Sequence, residues 1–128
     1  MTNELHPKLL VSDAEAAIEF YTEALDATLT LRVADEQGVV NHAEIAVGAA
    51  TLALAQSVAE WGWHDPESLG GSPVLITVNV PDPDATADRM VRLGAELVIP
   101  VENRPYGKRQ GRVKDPFGHL WVISGDLR

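Results

Sequence analysis

One internal repeat constrains this chain more than any other feature. Val11-Ser12-Asp13, a helical pattern and then Leu25-Asp26-Ala27 match Val80-Pro81-Asp82, a helical pattern and then Leu93-Gly94-Ala95. The offset is about 69 residues at the start and about 68 at the end. A repeat of supersecondary size implies two copies of one module. Each copy reads as a strand, a helix and three strands. Neither half buries both faces of its own sheet, so two halves side by side are expected to give eight strands. The predicted fold is α+β: two βαβββ modules forming an eight-stranded mixed sheet, with a concave cleft on one face and helices on the other. Module 1 is expected at about 1–56, a connection at about 57–72 and module 2 at about 73–128.

The local signals follow in order. Residues 5–11 read as a strand, with His6, Lys8 and Leu10 on one face and Leu9 and Val11 on the other. Ser12-Asp13-Ala14-Glu15 has the capping-box form, Ser at the cap and Glu three later. Ala14, Ala17, Ile18, Tyr21 and Leu25 make the apolar stripe of a helix ending near Leu25. Strands follow at 27–33, 39–47 and 51–55. Residues 56–73 carry Trp61, Trp63, His64 and several Gly and Pro, and read as a long connection rather than a buried element. Val74–Val80 is the clearest strand. Asp82 caps a second helix with Pro83 at its first position, and Gly94 stops it. Strands at 96–99 and 109–114 flank a turn-rich loop, Val101 to Lys108. Asp115-Pro116-Phe117-Gly118 is a tight turn into a last strand with Trp121 in the core.

At 128 residues the chain is one soluble-sized domain, 45% apolar and 23% charged. The net charge of −9 argues against general nucleic-acid binding, which depends on neutralising phosphates. Five of the ten Lys and Arg residues, however, fall between Arg104 and Lys114, a local attraction for a small anion. No apolar run nears the roughly 18 residues of a membrane helix, and no signal-peptide pattern opens the chain. A cytoplasmic location is expected, with no membrane partner. With no cysteine there is neither a disulfide framework nor a thiolate nucleophile.

The paired modules, His6-Pro7-Lys8-Leu9-Leu10-Val11-Ser12-Asp13, Phe20-Tyr21 and Asp115-Pro116-Phe117-Gly118-His119 together resemble the vicinal oxygen chelate superfamily. That group contains glyoxalase I, bleomycin and fosfomycin resistance proteins and extradiol dioxygenases. His42-Ala43-Glu44-Ile45 and Leu69-Gly70-Gly71-Ser72-Pro73 look most like its PhnB-like subgroup. The resemblance implies a small-molecule site and a homodimer. Its metal-using members carry four ligands, and the resemblance places them on His6, Ala53, Leu75 and Val122. Only His6 has a donor atom, so the usual site is expected to be absent and no cofactor is expected.

Alternation leaves other polar groups facing the cleft. His42 and Glu44 share a face; with His6 they offer an alternative His/His/Glu set for Zn, Ni or Fe. His6 and Glu44 are also an acid/base candidate. Trp61 and Trp63, with Thr77, Asn79, Tyr106, Arg109 and Arg112, are the expected ligand-binding residues. Three functions compete: a protein that sequesters or senses a planar or anionic compound without metal; a metal-dependent glyoxalase-like lyase, isomerase or dioxygenase; and a structural interaction module.

Overall fold

The computed structural model describes residues 2–128. The chain divides into two compact units, meeting between Ser68 and Leu69. In the first unit, strands β1 (Lys8–Val11), β2 (Thr28–Ala34), β3 (Val40–Val47) and β4 (Ala50–Gln56) form a sheet in the order β1-β4-β3-β2, with helix α1 (Ala14–Leu25) after β1. The short helix α2 (Pro66–Leu69) follows. In the second unit, β5 (Leu75–Asn79), β6 (Glu96–Asn103), β7 (Arg109–Lys114) and β8 (Leu120–Gly125) form a sheet in the order β5-β8-β7-β6, with α3 (Pro83–Arg92) after β5. Both sheets are mixed: β1 with β4 and β5 with β8 run parallel, and the other pairs run antiparallel. Eight strands in two βαβββ modules make the α+β fold that the repeat predicts.

The repeat extends to register. Lys8 pairs with Ala53, and 69 positions on, Thr77 pairs with Val122. Leu29 and Leu31 oppose Ile45 and Glu44, so Thr30 is an extra residue in β2. Leu97 and Ile99 oppose Val113 and Arg112 in the same way, 68 positions on, with Val98 extra in β6. One bulge, at equivalent places in both modules, bends both edge strands.

Alternation sets the faces. Leu9, Val11, Ile45, Leu52 and Leu54 are buried on the α1 side of the first sheet, with Ala17, Ile18 and Tyr21 of the helix. Val113, Trp121 and Ile123 are their counterparts in the second, with Ala87 and Met90 of α3. Burying side chains of this size stabilises by about 1.5–3 kcal/mol each.

The helices begin alike but not where a capping box on Ser12 predicts. The N-cap is Asp13, whose carboxylate accepts from the Ala16 amide at 3.1 Å. Asp82 does the same for Ala85 at 3.1 Å. Ser12 turns aside and donates to Glu67 at 2.9 Å, close to α2. Asp13 is thus the first-module equivalent of Asp82, and the cap moves one residue along. We expect Asp13→Ala to cost about 1 kcal/mol and Ser12→Ala clearly less, measured by urea denaturation. At the other end Asp26 takes φ 54° in the left-handed region, the place that Gly94 holds at φ 113° in the repeat.

Two further expectations change. The connection is more structured than its Gly and Pro content suggests. It holds a 3₁₀ turn at Ala59–Trp61 and α2, and it buries Asp65 and Pro66. Burial acts to raise the Asp65 pKa, but hydrogen bonds, chiefly from the Ser68 amide with help from Ser57, hold it below the usual carboxylate value. Strand β6 runs on to Asn103, leaving a turn closed by the Arg104 amide on the Lys108 carbonyl at 2.8 Å. The first strand, conversely, starts only at Lys8, so His6 precedes it.

The closing turn is held by one carboxylate. Asp115, buried, accepts from the amides of Phe117 at 2.9 Å and His119 at 3.0 Å with Oδ1. Its Oδ2 accepts from the Trp121 indole at 2.9 Å. Gly118, at φ 89°, completes the turn. Asp115 therefore fixes both the turn and the large side chain of β8 that packs toward α3.

Candidate functional site

The face of the second sheet opposite α3 carries the even-numbered residues of β7 and β8: Gln110 and Arg112, with Val122 and Ser124 beside them. A pocket of about 180 Å³ opens there, lined by Ile99, Arg104, Tyr106, Gln110, Gly111, Arg112 and Val122. Its floor is small and apolar. Gly111 lies where Pro100 and Val101 of β6 together oppose one residue of β7. A Cβ at this position would meet the Val101 amide nitrogen at 2.8 Å and the Ile99 carbonyl at 2.9 Å. Only glycine permits this bulge, and the bulge shapes the pocket.

Tyr106 forms one wall. Its hydroxyl donates to Gln110 Oε1 at 2.7 Å, and Gln110 Nε2 donates to Ser124 Oγ at 2.9 Å. This chain from the turn to β8 anchors the hydroxyl of a residue that stays largely exposed. The cations divide sharply. Arg104 donates to the carbonyls of Gln110, at 3.1 Å, and Pro100, and lies 3.7 Å from the Glu102 carboxylate. Arg112 has no hydrogen bond or ion pair among the described residues and is exposed on the pocket rim. An exposed cation beside a pinned ring is poised for an anionic group.

Arg109 does not belong to this site. It stands three residues from Arg112 on one strand, so alternation sends it to the α3 face. There it holds Asp84 through Nε at 2.7 Å and Nη2 at 2.8 Å, while Arg128 approaches the same carboxylate at 3.2 Å. The Arg109 hydrogen bonds hold the Asp84 pKa below the usual value, and the Asp84 partnership raises that of Arg109. A lowered folded-state pKa stabilises the fold above the unfolded carboxylate value, about 3.9, and that contribution is lost as pH falls through the folded value. We therefore expect the urea midpoint of the protein to fall between pH 5 and about pH 3. Asp84→Asn should be less stable at pH 5 and lose less over that interval.

Thr77 and Asn79 are exposed on β5. Thr77 is the register partner of Val122, one strand beyond the pocket floor, and Asn79 is that of Ser124. Neither lines the pocket. The tryptophans belong to the first unit. Trp61 and Trp63 meet edge to face with centroids 5.1 Å apart, and the Lys8 ammonium lies 4.7 Å from the centre of the Trp63 ring. Trp61 is 57% exposed, so this aromatic pair keeps a free surface. It is a second feature, separate from the pocket residues in the chain.

The His/His/Glu set does not assemble. His42 Nε2 and Glu44 Oε2 lie 2.8 Å apart, bonded to each other on the face of β3 away from α1. His6 does not complete them: no three His, Cys, Asp or Glu side chains among the described residues form a group that could hold a metal ion. The register equivalents Ala53 and Val122 have no donor atom. His42 with Glu44 is an oriented imidazole.

Sequence reading missed Ile99, Arg104, Gln110 and Gly111 as pocket residues. For Gln110 a signal existed, because it shares the parity of Arg112 on β7. For Gly111 the signal was a lone glycine inside a strand pattern, which marks a bulge.

The comparisons with known proteins agree with this architecture. A family model described as glyoxalase/bleomycin resistance protein/dioxygenase superfamily matches residues 5–123. An uncharacterized protein of Mycobacterium bovis is 39% identical over 127 residues, covering 97% of this chain and 84% of its own. A gene product from Arabidopsis thaliana superposes with a TM-score of 0.78 at 24% identity, covering 97% of this chain and 99% of that one. A Bacillus cereus structure described as PhnB protein, a putative 3-demethylubiquinone-9 3-methyltransferase, gives 0.72 at 18% identity, covering 96% and 99%. No helix among the described residues is long and apolar enough to cross a membrane. With the family model spanning both modules, the chain belongs to the glyoxalase/bleomycin resistance protein/dioxygenase superfamily.

Proposed function

We propose that the protein binds a small planar or anionic compound on the open face of its second module, and that it sequesters or senses that compound without a bound metal. The observation that carries this reading is the juxtaposition of Arg112, unpaired among the described residues, with the Tyr106 ring held by Gln110 and Ser124. Pockets for small molecules combine apolar surface with a few placed polar groups, and this one sets Ile99 and Val122 beside Tyr106, Gln110 and two arginines. Trp61 and Trp63, in the first unit, offer a stacking surface of their own. The protein acts as a homodimer in the cytoplasm, close to the PhnB-like branch of its superfamily. A thermal-shift screen of aromatic acids and planar drugs tests the reading. A true ligand at a hundred times its Kd stabilises by about 2.7 kcal/mol, and Tyr106→Ala with Arg112→Ala should abolish the shift. A screen in which no compound stabilises the protein, or in which the double variant responds as the parent does, rejects it.

A second reading, an acid/base enzyme, draws on the His42–Glu44 hydrogen bond. The carboxylate orients the imidazole, the arrangement of a general base. Turnover of any compound in the screen that is lost in His42→Ala and kept in Arg112→Ala would favour it.

A further inference from the structure

Resting on the reading of this pocket as the ligand site, we infer that its ligand class is a one-ring aromatic monocarboxylate, recognised through a two-pronged bond to Arg112. Three properties of the site select this class. The first is charge. Arg104, the other cation of the lining, is bonded to two carbonyls and lies 3.7 Å from Glu102. Arg109 is committed to Asp84. Arg112 is therefore the one cation of the lining free of a partner among the described residues, and one guanidinium balances one negative charge. A dianion would bring a second charge for which the lining holds no other unpaired cation among the described residues.

The second property is shape. A guanidinium is a planar fork whose parallel N–H groups match the two oxygens of a carboxylate. A ligand so held lies in the guanidinium plane, which favours a flat acid over a branched one. The third is size. The pocket measures about 180 Å³, and a cavity of roughly 150 Å³ accommodates a benzene ring. The volume is enough for one ring. Tyr106 gives that ring a fixed aromatic partner, and Val122 and Ile99 give it apolar contact. The Gln110 amide is already occupied on both sides, by Tyr106 and Ser124. It thus holds the wall and leaves the selection of the anion to Arg112.

Four probes separate these properties: benzoate, its neutral isostere benzamide, acetate, and phenylphosphonate. Each is titrated into the full chain and followed by the NMR shifts of Arg112, Tyr106 and Val122. Benzoate should bind at least tenfold more tightly than benzamide or acetate, and more tightly than phenylphosphonate near pH 8. Arg112→Lys keeps the charge but not the fork. It should weaken benzoate about tenfold and leave benzamide unchanged, with an otherwise unaltered amide spectrum showing that the fold is intact. Benzamide binding as tightly as benzoate overturns the assignment of class and leaves the pocket standing as a ligand site. Phenylphosphonate binding more tightly overturns the choice of a monoanion. If neither these probes nor any compound of the wider screen moves those residues, the pocket reading itself is wrong.

Discussion

Replacing Asp115 by alanine should lower stability by about 3–4 kcal/mol, an effect as large as truncating a buried core side chain. The carboxylate is 3% exposed and accepts hydrogen bonds from the amides of Phe117 and His119 and from the Trp121 indole. Its removal strands buried donors, each of which costs about 1–3 kcal/mol, offset in part by water entering the turn. In a domain of this size that lowers Tm by roughly 10–20 °C. Asp115→Asn should fall between the two proteins. Its amide oxygen can still serve the two backbone donors, but its NH₂ then faces the Trp121 N–H. Calorimetry of the three proteins checks the order. An alanine variant within about 1 kcal/mol of the parent would show that the turn is held by its backbone bonds and by Pro116 instead.

Gly111→Ala should be nearly as severe and should also abolish binding. The added methyl meets backbone atoms at 2.8 and 2.9 Å and the Val101 side chain at 2.6 Å. Side chains can rotate away, but the Val101 nitrogen and Ile99 oxygen move only if β6 moves. We expect a loss of about 3 kcal/mol, at the upper end for overpacking, with the Pro100–Val101 bulge displaced. Because Ile99, Gly111 and Arg112 all line the pocket, ligand-induced shifts should disappear even where the variant remains folded. The comparison variant is Gly107→Ala, in the adjacent turn at φ 90° with open space around it. It should cost about 1 kcal/mol through backbone strain alone. Equal stabilities for the two variants would show that the close approach at Gly111 is not a constraint.

These two residues also show what the sequence reveals and what it hides. The Asp-Pro-Phe-Gly turn is legible because each residue type has its own conformational role, and Trp121 lands in the core as alternation requires. The helix boundaries are equally clear, from Pro83 and Gly94 in one module and the tolerant Asp26 in the other. Local signals fail where a tertiary contact decides. Ser12 has the form of a cap, yet Glu67, 55 positions away, takes its hydroxyl. The bulges at Thr30 and Val98 shift register without any marked residue, since neither is a glycine or proline. The site was half legible. Tyr106 and Arg112 emerge from the basic, turn-rich stretch, but grouping them with Arg109 ignores the period of two that separates Arg109 from Arg112. That His42 and Glu44 share a face follows from the same period. That His6 lies ahead of the first paired residue of β1 does not.

We propose the second module's open face as the ligand site, with no metal held in the first. A crystal structure of the protein grown with benzoate and soaked with Zn²⁺ tests both statements at once. Carboxylate density on the Arg112 guanidinium, with the ring against Tyr106 and no metal peak bridging His6, His42 and Glu44, is the predicted result. A metal ion ligated by those three side chains, with ligand oxygens on it and Arg112 left bare, would contradict it.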